Sequence, residues 1–151
     1  MTYAIRPATL DDVAVLVHQR HAMFAEMGLT GDYNSMDREY ARWLQPAMRH
    51  KVYFGWVAES ESGEIVAGGG LAVLPWPPGP VDPGHQRAFI FNVYTEPAHR
   101  RQGLARQLME TMHCWCQEQG LKTVVLHASE FGRPLYESLG YQPTNEMLLE
   151  F

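Results

Sequence analysis

Apolar residues recur along this chain with two alternating periods. Tyr3 to Arg6 alternates as a short strand does, and Pro7 closes it. Thr9 with Asp12 three residues later is a variant capping box. The run after it sets Val13, Leu16, Val17, Phe24 and Met27 at helical spacing until Gly28 ends the helix. Gly31 to Asn34 reads as a loop, and Asn34 or Ser35 caps a second helix with the stripe Tyr40, Trp43, Leu44, Ala47 and Met48. Val52 to Glu59 and Ile65 to Leu74 form a hairpin turning at Ser62 and Gly63. Gly68, Gly69 and Gly70 inside its second strand mark a bulge or a close approach of another group.

The stretch from Pro75 to Gly84 is the one long irregular loop, a length often used for lids or binding segments. Arg87 to Thr95 is apolar enough for a sheet centre. A helix then shows Leu104, Leu108, Met109, Met112 and Trp115 on one side and stops at Gly120. Thr123 to His127 is a further strand, Pro134 to Leu139 a short helix ended by Gly140, and Met147 to Phe151 a last strand. This order predicts an α/β fold in a single domain over residues 1–151. Its central sheet is mixed but mostly antiparallel and flanked by about four helices.

Composition narrows the function without naming it. With 46% hydrophobic and 19% charged residues the chain is ordinarily globular, and 151 residues bury a real core. A net charge of -5 argues against a nucleic-acid binder and mildly favours a cationic partner. Cys114 and Cys116 sit two apart on a helix, so they face different ways and suit neither a disulfide nor a shared metal. The seven histidines show no ligand spacing, so no metal is expected. The polar N-terminus is unlike a signal peptide and no run spans a membrane, which together with free thiols predicts a cytoplasmic protein.

The chemistry concentrates between Asn92 and Ala105, a strand, a turn and a helix start. A helix start leaves backbone N–H groups unpaired and carries partial positive charge. Gly103 and Ala105 keep side chains clear of it, so an anion can come close. His99, Arg100 and Arg101 add cations where the helix dipole disfavours them, which fits an anion of larger charge such as a pyrophosphate. A solvated basic turn is the plain alternative. Neither a Walker loop nor GxGxxG is present, which excludes the usual nucleotide sites.

Arg100-x-x-Gly103-x-Ala105 after a strand resembles the signature of the GNAT superfamily of N-acetyltransferases. Ile5 to Asp12 is similar to that family's opening strand and helix, and Ala128-Ser129 with Leu135 to Tyr141 to its second signature region. The resemblance implies a GNAT-like fold and acetyl-CoA as co-substrate. It implies a cofactor-binding set of Val93, Tyr94, Thr95, Arg100, Arg101, Gln102, Gly103, Leu104, Ala105 and Ser129. Backbone groups from Arg101 to Ala105 would hold the pyrophosphate. The strand at Val93 and Thr95 would pair with the pantetheine arm, in a slot opened by splaying from the strand that ends at His127. Ser129 could instead cap the helix after it. Tyr136 would be the general acid for the departing thiolate, a role that also suits a phenol chemically.

The general base is not evident. Some family members use a glutamate early in the central strand, where this chain has Arg87, Ala88 and Phe89. Water positioned by Asn92 or His127 is a substitute, although Asn92 could be a strand residue with its amide paired and His127 a structural histidine. Glu26, Asp32 and Glu146 are acids that could border an acceptor site or simply be solvated. The acceptor is expected to be a primary amine of a small molecule bordered by residues 27–36 and 75–86, whose Met, Trp, Tyr and Pro content suggests an apolar portion. A homodimer is expected by family analogy. The competing readings are a non-catalytic acyl-CoA-binding regulator, an acetyltransferase acting on a protein or an aminoacyl-tRNA, and a structural domain binding any phosphate.

Overall fold

The computed structural model describes all residues from Met1 to Phe151. Five strands form one sheet in the order β1 (Tyr3–Pro7), β2 (Tyr53–Ser60), β3 (Ile65–Pro75), β4 (Gln86–Thr95) and β5 (Val124–Leu126). The first three pairings are antiparallel and β4 with β5 is parallel. The parallel pair requires a crossover, supplied by α3 (Leu104–Glu118).

Helices α1 (Val13–Glu26) and α2 (Tyr33–Arg49) cover one face of this sheet. Their core joins Val13, Leu16, Tyr40, Leu44 and Ala47 to Tyr53 and Val57 of β2. On the other face α3 buries Leu104, Leu108, Met109 and Met112 against Leu71, Ala88 and Ile90. The short α4 (Arg133–Ser138) adds Tyr136 there. Truncating any of these fully buried α3 side chains to alanine costs about 2–5 kcal/mol. No helix is long and apolar enough to cross a membrane.

Local chemistry explains the boundaries. Thr9 and Asp12 form the expected capping box, and Arg6 pairs with Asp12 at 2.8 Å and Glu59 at 2.8 Å, tying the start of α1 to β1 and β2. The second helix starts earlier than its sequence suggests. Asp32, not Asn34 or Ser35, is the cap and accepts from the Ser35 N–H at 3.0 Å. The glycine triplet is both a bulge and a packing site. A Cβ on Gly70 would lie 2.1 Å from the Tyr53 hydroxyl, and one on Gly68 2.3 Å from the buried Gln19 side chain.

The expected last strand over Met147 to Phe151 does not form. A strand exists by virtue of a ladder partner, and residues 142–151 pair with none, leaving Met147, Leu148, Leu149 and Phe151 exposed.

Candidate active site

The bulge opposite the glycine triplet organises the site. Gly68 faces Tyr94 and Gly70 faces Phe91, so β4 carries one residue more than β3 over this interval. Asn92 takes the left-handed conformation with φ 61°, which asparagine tolerates better than most residues. Its buried side chain is gripped at both ends: the oxygen accepts from Arg20 Nη1 at 2.6 Å, and the nitrogen donates to the Tyr40 hydroxyl at 2.7 Å. The paired alternative describes Asn92 better than a water-holding role, because its amide pins the bulge. Bulges bend and twist a strand. Pairing of β5 with β4 ends at Ile90, so the second half of β4 has no strand on that side. This leaves an open edge along β4 that Val93, Tyr94 and Thr95 border.

Beyond Thr95 the chain makes a 3-10 turn over Pro97–His99 and enters α3 through Gly103, whose φ of 78° suits glycine. The first amide of this region to find a helical carbonyl is Gln107, bonded to Gly103 at 3.1 Å. From Arg101 through Arg106 no backbone N–H finds an acceptor within the protein. Nothing lies within 4 Å of a Cβ built on Gly103, so the space in front of these amides is open. A row of free donors at the positive end of a 15-residue helix fits the diphosphate of a nucleotide-type donor.

The basic side chains around this turn act differently from the expectation. His99 bonds the Tyr3 hydroxyl at 3.0 Å. Arg100 donates to the Thr95 carbonyl at 2.9 Å and forms a two-pronged pair with Glu26, at 2.6 and 2.7 Å. Their hydrogen bond holds the Glu26 carboxyl below its ordinary range. Glu26 thus clamps α1 to the turn, and of the three cations only exposed Arg101 stays unpaired. Any anion here is held by backbone amides more than by side-chain charge. Ser129 is likewise engaged locally: its hydroxyl accepts from the Gly132 N–H at 3.1 Å in the turn before α4, whose cap is Gly132 and not Ser129.

Tyr136 reaches the α3 side of the sheet from α4 and packs edge-on to Tyr141 at 5.9 Å. Gly132 makes room for it, since a Cβ there would lie 2.7 Å from the ring. The Arg106 to Ser138 bond of 2.7 Å ties α4 to the first turn of α3. Burial pushes the phenol pKa up, so Tyr136 carries its proton at neutral pH. His127 follows β5 where its pairing with β4 ends. It bonds the Glu146 carboxylate and meets the Phe89 ring edge-on at 4.9 Å. Asp32 is occupied as the cap of α2.

Sequence reading missed what covers the opposite face of β4. Phe89 and Phe91 point toward α1 and α2, where Phe91 joins Trp43 and Tyr53 with centroids at 6.2 and 5.6 Å. Arg20 of α1 lies among them. The one available signal was its spacing: Leu16, Arg20 and Phe24 fall four apart on the apolar stripe, with a cation where an apolar residue belongs. A separate cleft of about 340 Å³, lined by Trp76, Asp82, Arg87 and Thr123 among others, lies at the start of β4. That is the end away from the free amides.

The fold and this arrangement define the class of the protein, an N-acyltransferase. Residues 19–141 match the family described as Acetyltransferase (GNAT) family, and the chain belongs to it. A GCN5-related N-acetyltransferase from Ralstonia eutropha JMP134 superposes with a TM-score of 0.94 at 38% identity, over 99% of both chains. A predicted acetyltransferase from Clostridium acetobutylicum, solved with acetyl-CoA, gives 0.91 at 27% identity, over 99% of this chain and 96% of that one. The uncharacterized N-acetyltransferase YjgM of Escherichia coli (strain K12) is 30% identical, covering 91% of this chain and 81% of its own. Human N-acetyltransferase 8 is 31% identical over 60% of this chain, which spans only 39% of that protein.

Proposed function

We propose that the protein moves an acetyl group from acetyl-CoA to the primary amine of a small molecule by direct attack in a ternary complex. The observation that carries this reading is the run of unpaired amides from Arg101 to Arg106 beside the unpaired half of β4. The first would hold the diphosphate and the second the pantetheine arm, through the backbone of Val93, Tyr94 and Thr95. Acetyl-CoA supplies an activated thioester. The unprotonated amine attacks its carbonyl carbon, the C–N bond forms, and the C–S bond breaks. Tyr136 gives its proton to the departing thiolate. His127, oriented by Glu146, takes the proton that the amine loses. Most of the rate then comes from orientation.

A cytoplasmic location fits the free thiols of Cys114 and Cys116. The uncovered Met147 to Phe151 segment suits pairing with a second copy.

Thermal melting with acetyl-CoA, CoA and ADP, followed by thiol release against an amine library, tests the reading. Acetyl-CoA and CoA should raise the midpoint well above ADP, since binding to the native state adds stability. Thiol release should depend on added amine. Binding without turnover on any amine, and no response to Tyr136→Phe, would instead favour a regulator that keeps the cradle.

A further inference from the structure

This inference rests on the proposed function and concerns the acceptor side of the same site. Arg6, Arg38, Arg42, Arg100, Arg106 and Arg133 each meet a carboxylate. Arg49 and Arg101 are exposed, and Arg87, half-buried with its Nε unpartnered, stacks on Trp76 at 3.8 Å beside Asp82. Arg20 is half-buried among three rings. Its guanidinium lies 4.7 Å from the centre of Phe24, 5.0 Å from Tyr40 and 5.9 Å from Phe91. Its single hydrogen bond goes to the neutral Asn92 amide, and no carboxylate reaches it. Nε and Nη2 make no hydrogen bond.

A guanidinium partly withdrawn from water is costly unless an anion balances it. Desolvation accordingly pulls the Arg20 pKa down, and the ring faces compensate in part. A ligand can supply the missing partner. One planar fork with two free edges, in a wall otherwise of rings and neutral amides, matches one carboxylate. A phosphate dianion would call for more cations than this wall holds.

Position supplies the rest. Asn92 joins Arg20 to the bulge of β4, where pairing with β5 has just ended and the acetyl group would be presented. Phe91 and Trp43 offer the adjoining apolar surface. We infer that the acceptor is an amino acid or amino-acid-like amine with an apolar side chain, its carboxylate held by Arg20 while its amine attacks the thioester. Arg20 is then the residue that sets acceptor specificity.

Paired acceptors that differ only in the carboxylate test this. L-Phenylalanine is compared with phenethylamine and L-leucine with 3-methylbutylamine, as kcat/KM per unprotonated amine. The wild type should favour the carboxylate member by about 10- to 100-fold, the scale of a charge-assisted pair. Arg20→Met should bring the ratio near one, mainly through KM, and Arg20→Lys should fall between. In parallel, calorimetry with and without CoA compares N-acetyl-L-phenylalanine with N-acetylphenethylamine, which needs no turnover and no variant. Tighter binding of the carboxylate form supports the inference. Equal binding, a wild-type ratio near one, or a ratio unchanged in Arg20→Met would overturn it. Melting with acetyl-CoA separates the two readings: a retained shift with no carboxylate preference removes the acceptor assignment alone, and a missing shift removes the donor assignment.

Discussion

The two halves of the proposed site are made of different material. The proposed donor half is backbone: free amides at the start of α3 and an open edge along β4, with neighbouring side chains committed to structural contacts. The proposed acceptor half is side chain: Arg20, Tyr40, Trp43 and Phe91, brought from α1, α2 and β4. A backbone cradle serves any sequence that keeps the turn and leaves the glycine bare, so it suits a donor common to a family. A side-chain wall changes with each substitution, so it suits an acceptor peculiar to one member.

The sharpest way to break the donor half is Gly103→Glu. The carboxylate would stand where a diphosphate docks, and the left-handed backbone adds about 1–3 kcal/mol of strain for a non-glycine residue. The melting shift with acetyl-CoA should vanish, and affinity should drop by about 100-fold or more. Gly103→Ala separates the causes, because it shares the strain without the charge and should keep most of the shift. A full shift in Gly103→Glu would remove the cradle from the mechanism.

This asymmetry also governs what could be read from the sequence. The first five strands, the capping box at Thr9 and Asp12, the helix stops at Gly28, Gly120 and Gly140 and the bare helix start at Gly103 all depend on residues close together in the chain. They were legible. The glycine triplet was legible as a bulge or close approach, but that Tyr53 and Gln19 fill the space was not, since those contacts join distant elements. His99, Arg100, Glu26 and Ser129 looked like site residues by type, and what their side chains bond to within the fold was not legible, since most of those partners lie far off in the chain. Arg20 went unread for the same reason: its meaning lies in Asn92, 72 positions away. The terminal strand was read from β-forming residues alone, and propensity without a ladder partner is not enough.

The two proposed proton carriers, Tyr136 and His127, carry the next largest effects. Tyr136→Phe keeps the ring that fills the space beside Gly132 and removes only the hydroxyl. It should lower kcat by about 100-fold with little change in KM, as expected for losing a general acid. A kcat within twofold of the wild type would make Tyr136 a packing residue. His127→Ala should cost less, about 10- to 30-fold, because bulk water replaces an exposed base in part. The telling measurement is thiol release at fixed pH. A rate within twofold of the wild type in the variant would remove His127 from the proton path.

The smallest effect concerns how the acceptor half is anchored. Helix α1, which carries Arg20, is fixed at its start by Asp12, whose carboxylate accepts from Arg6 at 2.8 and 3.0 Å and from the Thr9 N–H at 2.7 Å. The hydrogen bond from Arg6 is the main reason that the Asp12 pKa is lowered in the folded chain. A carboxyl more acidic when folded than unfolded stabilises the fold above its unfolded pKa, and that stabilisation fades as pH falls through the folded value. Asp12→Asn should therefore cost about 1–3 kcal/mol at neutral pH. The gap to the wild type should stay constant down to roughly pH 4 and then close. Denaturant melts across that range measure it. The acetyl-CoA shift should survive, since no amide of the cradle depends on Asp12. A variant that lost both stability and the acetyl-CoA shift would show that the two halves are coupled through α1, with the Glu26 to Arg100 clamp at its far end as the link.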